Sequence, residues 1–115
     1  MLNQLILVGR ITHNPEPIIL EDGKKVLNFQ LAVQRSFKNF EGEYDTDFFK
    51  IVCWEGLASI VEKYIEKGVM LAVKGRIQSW QYNVNDEKKI NMIDVIAEKV
   101  TYLSSNKSKL EKEIE

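Results

Sequence analysis

The sequence has little of what catalysis, metal binding or membrane insertion requires. It carries one cysteine, Cys53, so no internal disulfide can form, and a reducing compartment suits it. Cys53 lies on the core side of its strand with no histidine near it in sequence, which argues against a nucleophile. The single histidine, His13, stands beside a proline turn, and no Cys/His cluster has zinc spacing. Asp45 and Asp47 flank the start of a strand and read as hairpin-entry residues rather than a paired-carboxylate site. Gly9-Arg10 and Gly75-Arg76 lack the Gly-rich strand-to-helix turn of a phosphate loop. No stretch approaches the roughly 20 apolar residues of a membrane span. The start, Met1-Leu2-Asn3-Gln4, has neither the basic residues nor the apolar run of a signal peptide. The expectation is a cytoplasmic protein that is not an enzyme, with no cofactor, no metal and no membrane partner.

An excess of positive charge is also missing. Sixteen Lys and Arg face 17 Asp and Glu, a formal net charge of -1. A nucleic-acid partner therefore cannot be argued from the total and must be argued from local arrangement. The length of 115 residues suits one small domain with one core.

What is present is a series of alternating strands. Residues 5–11 form a short, rather uniformly apolar strand; its two apolar faces (Leu5 and Leu7 against Ile6 and Val8) suit a sheet covered on both sides, hence an oligomer. Residues 12–17 hold both prolines and read as a turn or edge segment. Asp22-Gly23 marks a hairpin. In residues 26–35, Leu27, Phe29, Leu31 and Val33 share one parity, as in a half-buried strand. Residues 37–44 read as a long hairpin loop. In residues 47–54, Phe49, Ile51 and Cys53 suit the core, while Phe48, Lys50, Val52 and Trp54 face the other way. Residues 56–67 have the only good helical stripe (Leu57, Val61, Tyr64, Ile65), with Lys67 at its end and Gly68 as the C′ glycine. Residues 69–82 form the next strand, residues 83–89 a polar hairpin tip, and residues 90–103 the last strand or strand pair, with Ile93, Val95 and Ala97 on one parity.

Three strands, a helix and two further strands is the order of the OB-fold, a five-stranded Greek-key barrel, so the fold class is all-β with one helix between strands 3 and 4. The barrel is expected to span residues 1–103, with residues 104–115 as a polar, loose extension.

The strand over residues 69–82 is the most informative. Val69, Leu71, Val73, Gly75 and Ile77 alternate with Lys74, Arg76, Gln78, Trp80 and Tyr82. One face is predicted buried; the other carries two cations, an amide and two aromatic rings. Arg35, Phe37 and Lys38 at the second strand's loop, and Phe48, Lys50 and Trp54 on the third, repeat the pairing of ring and cation. Rings stack unpaired bases and cations meet phosphates, so the predicted ligand is a single-stranded nucleic acid held without strong sequence preference. Acidic residues are absent from the outward positions of these two strands.

Several segments resemble the bacterial single-stranded DNA-binding protein family. They are residues 1–11, Asn14-Pro15-Glu16, Phe29-Gln30-Leu31-Ala32-Val33, Arg35-Ser36-Phe37, Asp47-Phe48-Phe49-Lys50-Ile51, Lys67-Gly68 and Lys74-Gly75-Arg76-Ile77-Gln78. The resemblance implies an OB-fold that assembles as a homotetramer, is nucleoid-associated, and coats single-stranded DNA in replication, recombination and repair. It places stacking rings at Phe37, Phe48, Trp54 and Tyr82, with Trp80 as an addition, and Arg10 of the opening motif joins the DNA-binding set. Phe37 and Phe48 stand where many members have tryptophan. Members usually end in a flexible linker and an acidic tip that recruits replication and repair proteins; residues 110–115 do not match such a tip, which reads either as a DNA-binding core cut from a longer protein or as a tailless variant and leaves replication and repair proteins doubtful as partners. Two other readings remain open at this level: an OB-fold protein-interaction scaffold of the primosome type, and an RNA-binding barrel of the cold-shock sort, which the helix and the greater length disfavour.

Overall fold

The computed structural model describes residues 1–105. The expected polar extension, apart from Ser104 and Ser105, lies outside them. Strands β1 (Leu5–Ile11), β2 (Glu16–Ile19), β3 (Lys25–Lys38) and β4 (Tyr44–Trp54) precede a helix, α1 (Glu55–Val61), and strands β5 (Met70–Asn83) and β6 (Lys89–Ser104) follow it. The sheet runs β1-β5-β6-β4-β3-β2 and closes through a further β1–β3 pairing. All neighbours are antiparallel except β4 and β6, which run parallel at Ile51–Val95 and Val52–Ile96. The five-stranded barrel read from the sequence is thus present, with β2 added as a short strand on the free part of the β3 edge.

Closure puts one parity of each of the five barrel strands inside, while β2 stays exposed on both. Leu27, Leu31, Ile51, Cys53, Leu71 and Val73 have no exposed surface, and Phe29 is 2% exposed. Each such aliphatic side chain taken out of water contributes about 1.5–3 kcal/mol. Ala58, Val61 and Ile65 close one end of the barrel. Two glycines allow the strands to approach this closely. A Cβ on Gly9 would lie 2.2 Å from the Ala32 carbonyl oxygen, where β1 leaves β5 for β3; one on Gly75 would lie 2.2 Å from the Ile96 carbonyl oxygen. At Gly75 the pairing with β6 also slips: Lys74 opposes Lys99 while Gly75 opposes Ala97, leaving Glu98 as the extra residue of a bulge.

Three expectations need correction. The helix stops at Val61 rather than residue 67: beyond it Lys63 and Tyr64 bond three residues back, to the Ile60 and Val61 carbonyls, and Ile65 shares the Val61 carbonyl with Tyr64. Tyr64 and Ile65 still pack against the core, so their apolar stripe reports burial, not helix length. Gly68 does take the left-handed conformation, φ 89°, but at a turn outside the helix. The loop placed at residues 37–44 shrinks to 39–43, because β3 and β4 pair out to Lys38–Tyr44. Asn39 holds this short turn, its Oδ1 accepting from the Glu41 and Glu43 amides. Ile77, assigned to the buried face, is 44% exposed. It lies beyond Gly75, the last β5 residue paired with the β1 backbone, and opposite Val95, the end of the β4–β6 pairing; past Ile77, β5 and β6 continue as a two-stranded arm. No helix of the described residues is long and apolar enough to cross a membrane.

Candidate nucleic-acid interface

The barrel's outer surface is built by the opposite parity. Antiparallel pairing sets Gln30 beside Lys50, Ala32 beside Phe48 and Val26 beside Trp54 across β3 and β4. Across β5 and β6 it sets Arg76 beside Ile96 on the barrel, then Gln78 beside Asp94, Trp80 beside Met92 and Tyr82 beside Ile90 along the arm. Residues directly opposite share a face. Because β6 also pairs with β4, the two groups form one continuous outer surface. Its apolar floor is small: Val26, Val52 and Ile96.

The rings on this surface are open. Phe48 is 58% exposed, Trp54 43%, Trp80 40% and Tyr82 55%. None is sealed inside the barrel, the outcome that would have removed the surface altogether. Phe37, 64% exposed, stands at the β3–β4 turn, and the sequence reading passed over its neighbours Phe40 and Tyr44, which are also exposed. Lys38 Nζ sits 5.9 Å from the centre of the Tyr44 ring, within cation–π range.

The cations divide into two groups. Lys74 and Arg76 have no ion pair among the described residues; Arg76 donates to Gln78 Oε1 at 2.8 Å, which aims both side chains along the arm. Arg35 is different. Its Nε and Nη2 grip Asp47 at 3.0 and 2.9 Å, with Asp45 3.7 Å from Nη1. The hydrogen bond from Arg35 holds the Asp47 carboxyl below its usual range, and the reciprocal bond raises the guanidinium. Asp45 and Asp47 thus do more than open a hairpin: they neutralise Arg35 and tie the ends of β3 and β4 together. Arg10 is also engaged, donating to the Gly68 carbonyl at 2.9 Å.

Lys50 faces Asp94 at 3.9 Å. No acid stands on the outward positions of β4 and β5 themselves, as the sequence indicated, but β6 brings this one alongside. Parity alone within a strand could not reveal it. The signal was available in the hairpin: pairing Asn83 with Lys89 puts Asp94 opposite Gln78. Asn3 was likewise unforeseen. Its amide donates to the Ile77 carbonyl at 2.7 Å and accepts from the Ile77 amide at 2.9 Å. A side chain thereby continues the β1–β5 ladder to the point where the arm begins.

Other candidates stay quiet. His13 is exposed and makes its contact with Thr12. Burial pushes the Cys53 thiol up to about 12, so it has no thiolate with which to react. Among the described residues no group of His, Cys, Asp and Glu is arranged to hold a metal.

Comparison with known proteins points the same way as this geometry. The sequence model described as the single-strand binding protein family matches residues 2–103. Single-stranded DNA-binding protein 3 of Listeria innocua serovar 6a is 39% identical over 108 residues, 94% of this chain and 68% of that protein. The single-stranded DNA-binding protein of Halalkalibacterium halodurans is 42% identical over 103 residues, 90% of this chain. This chain spans 61% of the length of that second relative. A solved structure described as a Plasmodium falciparum SSB complex with ssDNA superposes with a TM-score of 0.79 at 26% identity, covering 90% of this chain and 96% of that one. A deletion mutant of the single-stranded DNA binding protein from Thermus aquaticus superposes with a TM-score of 0.75 at 27% identity, over 90% of this chain and 51% of that one.

Proposed function

Since this chain belongs to the single-strand binding protein family, we propose that it binds and protects single-stranded DNA, with little sequence preference, during replication, recombination and repair. The supporting observation is the outer surface of β4 and β5, where Phe48, Trp54, Trp80 and Tyr82 are 40–58% exposed beside Lys50, Lys74 and Arg76. Stacking one base on such a ring contributes about 1–3 kcal/mol whatever the base. Each neutralised phosphate adds a term that weakens with salt. Phe37 and Lys38 extend the track to the β3–β4 turn, and Gln78 adds an amide. Arg10 and Arg35, already engaged within the chain, shape the site's borders.

Binding needs no bond-making. Bases held on separate rings are kept from each other, which opposes hairpins and re-annealing. The assembly we infer is a homo-oligomer, a homotetramer by family likeness. Ile6 is 70% and Val8 48% exposed on a strand whose far edge is unpaired until Arg10, a surface suited to another copy of the chain. The cellular place consistent with this work is the cytoplasm, at the nucleoid.

The test is quenching of Trp54 and Trp80 fluorescence by a poly-dT oligonucleotide at low salt, where phosphate attraction is strongest. Saturable quenching, weakened steeply by salt, is expected; none at low salt refutes the assignment. Mass measurement in solution with and without the oligonucleotide reads the assembly and its stoichiometry together.

A further inference from the structure

One hollow on the outer surface is explained neither by stacking nor by phosphate contact. It encloses about 270 Å³ and is lined by His13, Asn28, Phe29, Gln30 and Lys50. Asn28 Oδ1 is buried with no hydrogen-bond donor. An acceptor left that way is unfavourable, and it lies at the wall of a hollow that a donor can enter. Gln30 next to it has a donor for its Oε1, Thr12 at 3.1 Å. On the far side of Lys50 stands Asp94, whose carboxylate is 3.9 Å from Nζ, longer than a hydrogen bond. A carboxylate is a poor choice for a surface that meets only phosphates.

These groups place acceptors (Asp94, and Asn28 after a turn of its amide) on either side of one mobile donor, the Lys50 ammonium. The Watson–Crick edge of every unpaired base presents the complement, an N–H beside an acceptor. In thymine these are N3–H and O4, in cytosine N4–H and N3, in adenine N6–H and N1, in guanine N1–H and O6. We propose that the hollow receives the Watson–Crick edge of one unpaired base, the base N–H donating to Asp94 or Asn28 and Lys50 donating to the adjacent base acceptor. The inference deepens the single-stranded DNA reading and depends on it. Such a contact tolerates any base, yet it is closed to a duplex, whose edges are already paired. It adds a second means of choosing single strands to the one that stacking supplies, since a duplex has both its base faces and its base edges occupied.

The test compares a dT oligonucleotide with one of equal length made of N3-methylthymidine, which keeps phosphates, sugars and ring faces but has no N3–H. The natural sequence is expected to bind the methylated strand about tenfold more weakly, the scale of one hydrogen bond to a charged group. In the combined Asn28→Ala, Asp94→Ala variant the ratio falls to within about twofold, since no acceptor remains to be deprived of its donor. Asp94→Ala alone is the second variant if the double variant melts early: it removes one of the two acceptors and narrows the ratio, whereas Lys50→Met weakens both strands and leaves the ratio standing, because both acceptors remain. Equal binding of both strands by the natural sequence overturns the proposal and leaves single-stranded DNA binding intact. Failure to bind either strand overturns that underlying reading instead. If Asp94→Ala tightens both strands and keeps their ratio, the carboxylate is only repulsive and the proposal fails.

Discussion

Replacing Tyr82 by alanine separates a binding ring from a structural one. Tyr82 is 55% exposed near the tip of the arm, opposite Ile90 and beyond Ile77, where the arm begins. Its contribution to folding is that of one cross-strand pair of an aromatic and a β-branched residue, about 0.2–1 kcal/mol. Its contribution to binding is one stacked base, about 1–3 kcal/mol. Tyr82→Ala should therefore weaken binding by roughly fivefold to 150-fold while moving the melting temperature by no more than a few degrees. Trp54 and Trp80 both survive in this variant, so quenching by the same dT oligonucleotide still reports occupancy. Tyr82→Phe supplies the control: the ring stays and the hydroxyl goes, and binding should return to near the natural value. The salt dependence should not change in either variant, because no cation has been removed. Unchanged affinity in Tyr82→Ala, or a loss that Tyr82→Phe does not recover, refutes the stacking role. A loss of binding matched by a loss of fold would show that the arm is held to the barrel more tightly than its exposure indicates.

The two arginines should part company in a salt titration. Arg76→Ala is expected to lower the slope of log affinity against log salt by about 0.7, one phosphate on a single strand, whereas Arg35→Ala leaves the slope unchanged because Asp47 and Asp45 already neutralise it. Equal slopes for both variants would overturn this division. Gly75→Ala should cost about 1–3 kcal/mol or more in urea denaturation, since its Cβ would lie 2.2 Å from the Ile96 carbonyl oxygen and both partners are backbone; a neutral effect would mean that β5 and β6 separate freely there. Cys53 governs alkaline behaviour. Its thiol is raised to about 12 when folded, against an ordinary value near 9, so the neutral form is favoured. The resulting stability is fully present below pH 9 and declines as pH rises above it, by up to about 1.4 kcal/mol per unit from this group. Cys53→Val should remove that part of the decline in urea melts at pH 8–11, and rapid labelling of the native thiol at pH 8 would contradict its burial.

Much of the barrel was legible because alternation is a local property. Leu27, Phe29, Leu31, Ile51, Cys53, Leu71 and Val73 were assigned to the core from parity alone and are buried. The Asp22-Gly23 hairpin was equally plain: Gly23 adopts φ 88°, and Asp22 accepts from the Lys24 amide at 3.0 Å. The errors came where a second element decides the outcome. Ile77 keeps the alternation of a core residue, yet β5 is by then past its backbone pairing with β1. Residues 62–67 keep helical spacing, but the need to bring Val69 back beside β1 unwinds them into turns, with Gly68 donating to the Ile11 carbonyl at 2.8 Å. The rings and cations of the candidate surface were visible because they share one parity along β4 and along β5. Asp94, Asn3 and the Arg35–Asp47 clasp were not, because each is a relation between strands that only the register creates.

That same register resolves how a chain of net charge -1 can meet a polyanion. Total charge weighs every residue alike, whereas a ligand weighs those within about a Debye length, roughly 8–10 Å. Several acids of the described residues are spent on cations away from the outer surface of β4 and β5: Asp45 and Asp47 on Arg35, Glu62 on Lys25, Asp22 on Lys24. The Glu62–Lys25 and Asp22–Lys24 pairs are each close to neutral as seen by an approaching strand, and the Arg35 cluster keeps one of its two negative charges compensated. Lys74 and Arg76 carry no such partner, so the face with the open rings is also the face with uncompensated positive charge. Asp94 is the exception on that face, and it stands against Lys50 rather than against Lys74 or Arg76. A carboxylate placed there lowers the attraction for phosphate at one point only. A surface selected for phosphate affinity alone would have no reason to keep it; a surface that must also recognise the exposed edge of a base does.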